Sequence, residues 1–217
     1  MDNPNTQQQV RERIRDTAGA MFMKYGIRSI SMDDISVNLG MSKKTLYQYF
    51  QDKDQLVDAI IEQHTRQIRT DCLASCAEAE NAVEEVFLTM DKVTAHMGSV
   101  NPSVLHDMHK FHHNSYLKFQ ETRHAFLFGI IQGNLQRGIR EGLYRNDLDV
   151  DVLSKYRLES MMAPFNMDLF PAGAYNILDV VRIILEHFIF GLVTPKGYAL
   201  IERYKQERNK SMNHDNK

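Results

Sequence analysis

The segment from Gly26 to Lys53 constrains this chain more than any other stretch. Ser31 is followed three residues later by Asp34, a capping signature that predicts a helix from near Met32. Ile35 and Leu39 lie four apart, on one face of that helix. Gly40 suits the left-handed stop after a helix, and Ser42 suits the N-cap of the next, which runs through Phe50. In the second helix Leu46 and Phe50, again four apart, point inward, leaving Lys43, Lys44, Thr45, Tyr47 and Gln48 outward. Asp52 with Gln55 repeats the capping pattern, so a third helix starts near Lys53. Two short helices joined by a Gly-centred turn are the layout of a helix-turn-helix.

The outward groups decide what such a unit is suited to. A helix N-terminus attracts phosphate through its free N–H groups and its dipole, and Lys43 with Lys44 adds charge there. Thr and Gln side chains meet base edges, and Lys pairs with guanine. The plainer alternative is an ordinary surface helix that is basic. Charge distribution favours the first reading. Net charge is only −2, yet residues 1–53 hold eight Lys/Arg against six Asp/Glu, while the remainder holds 18 against 22. The basic excess sits where electrostatic binding to DNA requires it.

The rest of the chain also reads as helix, giving an all-α expectation. Val10, Ile14, Ala18, Met21, Phe22 and Tyr25 form a helical stripe. Leu56, Ile60, His64 and Ile68 continue as a long helix that links two domains. Further helices are predicted over 82–97, 103–113, about 115–141, 149–163, 174–192 and 195–208, punctuated by Gly98, Pro102, Gly142, Pro164 and Pro171. The expected organisation is a helix-turn-helix domain over 1–53, a helical regulatory and dimerisation domain over 54–208, and a disordered polar tail over 209–217. With 43% hydrophobic and 25% charged residues the 217-residue chain is globular rather than disordered. It has no apolar run of about 18 residues and its first residues do not read as a signal peptide, so a cytoplasmic protein without membrane contact is expected. Cys72 and Cys76 fall inside a helix and are expected as buried reduced thiols.

Phe22 and Gly26, then Ile35, Gly40 and Ser42, then Thr45-Leu46-Tyr47-Gln48-Tyr49-Phe50, then Lys53 and Leu56 resemble the N-terminal domain of the TetR family of transcriptional regulators. The resemblance covers roughly residues 10–56. It departs from the family pattern at Ser36, Leu39 and Met41, which are small packing changes, and at Lys44, where the family often has Gly, so one extra charge faces the DNA. It implies a repressor that binds a palindromic operator in double-stranded DNA as a homodimer and is released by a small apolar molecule. The reading helix would supply Ser42, Lys43, Lys44, Thr45, Tyr47 and Gln48, and the resemblance adds Arg28, Ser31, Tyr49 and Lys53 as contacts to the DNA backbone.

The same resemblance gives the C-terminal body two jobs. For dimerisation, helix 174–192 carries a wide apolar face including Val181, Ile184, Leu185, Phe188 and Leu192, and helix 149–163 adds Val152 and Tyr156. Two helices per subunit suit an intersubunit four-helix bundle; a wide face buried within one subunit is the alternative. For ligand binding, Met90, Met97, Phe111, Phe119, Phe126, Met161, Met162 and Phe165 suit an adaptable lining, and Arg123 suits a polar end of the ligand. The same residues equally suit a plain helical core.

Other chemistries find less support. His106, His109 and His113 share one face if they share one helix, and three imidazoles can hold a metal. Asp107, Lys110 and Asn114 around them read instead as a solvated face, so no metal and no cofactor is expected. Gly129-x-x-x-Gly133 reads as close helix packing, since no strand precedes it. The chain has no Gly-x-Ser-x-Gly, Walker-type loop, Cys-x-x-Cys or His-Glu-x-x-His, so an enzyme is not expected. A small-ligand or metal carrier without a DNA function would explain the helical body but not the basic, capped helix 42–50.

Overall fold

Helices follow one another along the whole described chain: α1 (Pro4–Tyr25), α2 (Met32–Leu39), α3 (Lys43–Tyr49), α4 (Lys53–Glu78), α5 (Ala82–Met97), α6 (Ser103–Phe111), α7 (His113–Arg140), α8 (Val150–Ser160), α9 (Ile177–Leu192) and α10 (Pro195–His214). A short 3₁₀ turn, Ala163–Phe165, lies between α8 and α9. The computed structural model describes residues 4–97, 101, 103–171 and 173–214, without the side chains of Pro4, Val93, His96, Met97 and residues 209–214. Among the described residues there is no strand; Tyr144 and Val193 form one isolated antiparallel bridge.

The chain divides into two compact units. The first takes residues 1–67, 98–123 and 165–172; the second takes 68–97, 124–164 and 173–217. The first unit therefore contains more than the three helices at its start: the beginning of α4 and all of α6 pack with them. Its core is built from Ile14, Ala18 and Phe22 of α1, Ile35 and Leu39 of α2, Leu46 and Phe50, Leu56, Val57, Ile60 and Ile61 of α4, and Val104 and Met108 of α6. Each helix contributes residues three or four apart, as a single buried stripe requires. Leu46 and Phe50 are fully buried, so truncating either leaves a cavity costing about 2–5 kcal/mol.

In the second unit the core gathers Ala82, Val83 and Phe87 of α5, Leu135 of α7, Leu143 and Tyr144 after it, Phe188, Ile189 and Leu192 of α9, and Ile201 and Tyr204 of α10. Close packing is supplied by Gly138, where a Cβ would lie 2.0 Å from the Tyr144 ring. Gly129 and Gly133, expected to pack closely, are exposed, and a Cβ at either would meet nothing within 4 Å. The difference is the buried Tyr144 side chain, which lies against Gly138 and not one or two turns earlier. A polar network also lies within this unit. Arg137 donates to Glu85 at 3.0 Å, to Glu141 at 2.7 Å and to the Ala79 carbonyl at 2.9 Å. The buried Glu85 is thus neutralised, which its burial demands.

Several boundaries differ from those expected. The helix over 103–113 ends at Phe111, and His112 stands between α6 and α7 with its ring nitrogen on the Asp54 carboxylate of α4. α8 stops at Ser160, whose carbonyl would need the N–H that Pro164 lacks for the helix to continue. α9 begins at Ile177, where Asn176 caps it by accepting the Leu178 and Asp179 N–H groups at 2.9 and 3.4 Å. α10 runs to His214, past the expected end at 208, with no Gly or Pro after Gly197 to stop it.

Candidate nucleic-acid interface

The outward face of α3 is set by what lies beneath it. Ser31 caps α2, its hydroxyl accepting the Asp34 N–H at 3.2 Å while the Asp34 carboxylate accepts the Ser31 N–H at 2.8 Å. The Asp34 carboxyl is held below its usual range by the hydrogen bonds from Ser31. Gly40 closes α2 with φ +65°, and Met41 N–H returns to the Ser36 carbonyl at 3.0 Å, so the turn into α3 is fixed. Ser42 caps α3, accepting the Thr45 N–H at 3.1 Å, and the Ser42 and Thr45 hydroxyls lie 2.8 Å apart. With Leu46 buried at the centre of a seven-residue helix, Lys44, Tyr47 and Gln48 face outward. Tyr47 is 45% exposed.

The C-terminal ends of both short helices are tied to α1. Arg11 donates to the Tyr49 carbonyl at 2.6 Å and its guanidinium sits 4.3 Å above the Phe50 ring. Arg13 donates to the Leu39 carbonyl at 3.4 Å. Cations at helix C-termini satisfy orphan carbonyls and complement the dipole. Sequence reading missed both arginines, because their partners lie 38 and 26 residues away.

The ten residues expected at the interface fall into distinct groups. Lys44, Tyr47 and Gln48 are exposed on α3, Thr45 is half-buried beside them, and Ser42 and Ser31 are exposed but spend their hydroxyls on caps. Lys43 is exposed and paired with the Asp33 carboxylate of α2. Tyr49 is half-buried, packed on the first unit's core. Arg28 is exposed, its guanidinium 5.1 Å from the Phe111 ring and its backbone N–H held by Asp107 at 2.9 Å. Lys53 departs most from expectation. It is half-buried, donates to the Ile27 carbonyl at 2.6 Å and lies 5.5 Å from the Phe22 ring. Burial holds its ammonium below the usual lysine range, against the opposing pull of Asp107, Asp34 and Asp54. It fastens the start of α4 to the turn before α2.

Residues 14–60 match the family of bacterial regulatory proteins known as the tetR family. Over those residues, which hold α2 and α3, the chain is similar to the tetR family. A similar relative is an uncharacterized HTH-type transcriptional regulator of Bacillus subtilis, YvaF, 35% identical over 92 residues, or 41% of this chain and 47% of that one. That match spans about half of the relative's length. The HTH-type transcriptional repressor KstR2 of Rhodococcus jostii is 24% identical over 194 residues, covering 85% of this chain and 92% of the repressor. Among solved structures, a TetR-family regulator from Cytophaga hutchinsonii aligns with a TM-score of 0.69 at 13% identity, covering 89% of this chain and 99% of that one. This last likeness establishes the fold: an N-terminal helix-turn-helix followed by a larger helical region. Among the described residues no helix is long and apolar enough to cross a membrane.

The expected ligand lining divides between the two units. Phe119 is half-buried on the first unit's core, and Arg123 is buried and donates to Gln120 at 3.0 Å. Phe165 is half-buried, and Phe111 is exposed beneath Arg28 and Lys110 rather than enclosed by apolar groups. Met90, Phe126, Met161 and Met162 are half-buried in the second unit, and the Met97 side chain lies outside the described residues. Of the residues expected at a dimer interface, Val152 and Tyr156 are exposed, and Val181 and Ile184 are half-buried. Leu185, Phe188 and Leu192 instead point into their own chain, because α9 turns one apolar side to its own core and leaves Asp179, Arg182 and His187 exposed. Ile183, which sequence reading did not single out, is 62% exposed on the other side. His109 and His113 lie in ring contact with Tyr116, but they stand on different helices from the break at His112. Among the described residues no group of three His, Cys, Asp or Glu side chains is placed to hold a metal ion.

Proposed function

We propose that this chain is a tetR-family repressor that binds a palindromic DNA operator as a homodimer and is released by a small apolar ligand. The observation that carries the reading is the outward face of α3. Lys44, Tyr47 and Gln48 are free on a short helix whose other side is locked by Leu46 and Phe50. A rigid helix presenting a cation, an amide and a phenol suits the major groove, where base edges differ in donor and acceptor pattern. One such helix spans only a few base pairs, so two half-sites about one turn apart, read by two copies, supply useful specificity. Exposed Val152, Tyr156 and Ile183 on α8 and α9 support pairing of two copies there. Half-buried Met90, Phe126, Met161 and Met162 support an adaptable apolar ligand site. A tenfold loss of operator affinity on ligand binding needs only about 1.4 kcal/mol of coupling.

A mobility shift on the DNA upstream of the protein's own gene tests the reading. Wild type shifts the fragment, and Lys44→Ala and Tyr47→Ala weaken the shift while circular dichroism stays native. Equal affinity in both variants removes α3 from the interface, and no shift by wild type at low salt removes the DNA function. A panel of apolar molecules, read by melting temperature, tests the ligand.

A further inference from the structure

Asp33 stands in the first turn of α2, and its carboxylate meets the Lys43 ammonium at the start of α3. Both side chains are exposed. The neighbouring acid, Asp34, is already used in the capping box with Ser31. Ser36 bonds only the Asp33 backbone carbonyl. Capping therefore does not require the Asp33 carboxylate, and an exposed pair of this kind contributes little to stability. Its effect lies in the field of the reading surface.

We propose that Asp33 sets the electrostatic strength and salt dependence of DNA binding at the reading face, cancelling the charge of Lys43 and leaving Lys44 as the reading helix's uncompensated cation. The proposal rests on the DNA-binding reading above. Affinity for a phosphate backbone, whatever its sequence, grows with each cation that displaces a counterion. Lys43 held by Asp33 adds no net charge. If Lys43 turns instead to a phosphate, the carboxylate left behind repels the same backbone, and the sum is again near zero. Binding to unrelated DNA is thereby kept low, while readout by Lys44, Tyr47 and Gln48 at base edges is untouched. The phosphate term is common to operator and unrelated DNA, so Asp33 lowers both affinities alike and leaves binding more dependent on base contacts.

The test measures binding against salt, from 50 to 200 mM, on two probes: the upstream DNA fragment and an unrelated mixed-sequence duplex. Wild type is compared with Asp33→Asn and with the double variant Asp33→Asn/Lys43→Gln. Each freed cation adds about 0.9 to the log–log salt slope, so about 1.8 for two copies, and each tightens binding at 50 mM by roughly 15-fold relative to a contact worth nothing at 1 M. Asp33→Asn is expected to show this on both probes, so that binding to the unrelated duplex becomes easily measured. Lys43→Gln in the Asp33→Asn background is expected to return the slope to the wild-type value. An unchanged slope in Asp33→Asn overturns the proposal, as does a steeper slope that persists in the double variant, since Lys43 is then not the released charge. Failure of wild type to bind either probe at 50 mM overturns the DNA-binding reading itself and this inference with it. Melting curves confirm that each variant is folded.

Discussion

Asp107 is a buried carboxylate with a single strong task, and its removal has a calculable consequence. It projects from α6 and accepts the Arg28 N–H at 2.9 Å in the turn that leads from α1 into α2. The turn fits closely around it: a Cβ on Gly26, whose φ is +84°, would lie 3.2 Å from the Asp107 carboxylate and 2.6 Å from the Ser103 hydroxyl. Lys53 balances part of the charge at longer range while bonding Ile27 in the same turn. Asp107→Ala removes a hydrogen bond to a charged acceptor, leaves the Arg28 N–H unpaired in a partly buried place, and costs about 2 kcal/mol. For a chain of this size that lowers the melting temperature by roughly 4–8 °C. Asp107→Asn keeps an oxygen for Arg28 and relieves the burial of charge, so it costs about half as much. Because the turn aims α2 and hence α3, operator affinity falls in the same order, Ala more than Asn. The assay is thermal unfolding by far-ultraviolet circular dichroism, with operator binding measured on the same samples. An Asp107→Ala variant that melts within 1 °C of wild type refutes the reasoning, as does an Asn variant worse than Ala.

Other consequences are as specific. Gly138→Ala brings a methyl group to 2.0 Å from the fully buried Tyr144 ring, so the second unit loses about 1–3 kcal/mol, visible as a lower urea midpoint. Burial pushes the Cys72 thiol up to about 11 and the Cys76 thiol up to about 12, with nearby Asp71 and Glu85 acting the same way. Both thiols are then protonated at pH 8, and the folded protein reacts with a thiol reagent far more slowly than the urea-unfolded chain; equal rates would contradict this. Val152→Asp and Tyr156→Asp, which place charge on the exposed face of α8, are expected to lower the mass seen by light scattering toward that of one chain without loss of helicity. A wild type that is monomeric at micromolar concentration contradicts the pairing itself.

Local chemistry made the reading head legible. Ser31 with Asp34, Gly40, and Ser42 with Thr45 act on partners within four residues, so their roles follow from spacing alone. Fold class was legible for a similar reason, since helical stripes such as Ile14, Ala18 and Phe22 repeat at the helix period. What escaped reading depends on partners distant in sequence. Lys53 looks like an exposed cation until its bond to Ile27 is known, and Arg11 carries no sign of the Tyr49 carbonyl it caps. Lys43 has the right type and place for DNA, but its pairing with Asp33 needs the angle between α2 and α3. Likewise, which glycine packs closely was decided by where Tyr144 falls, and an apolar α9 shows in sequence neither which side faces its own core nor which remains open.

The claim that α3 enters the major groove is tested most directly by dimethyl sulfate protection, which reports access to guanine N7 at the floor of that groove. On the upstream DNA fragment, wild type is expected to protect guanines in two short clusters about one helical turn or a multiple apart, and Lys44→Ala to lose protection within each cluster at concentrations where it is still bound. A stably bound complex that leaves every guanine N7 as reactive as in free DNA would contradict the account, because α3 would then lie outside the groove.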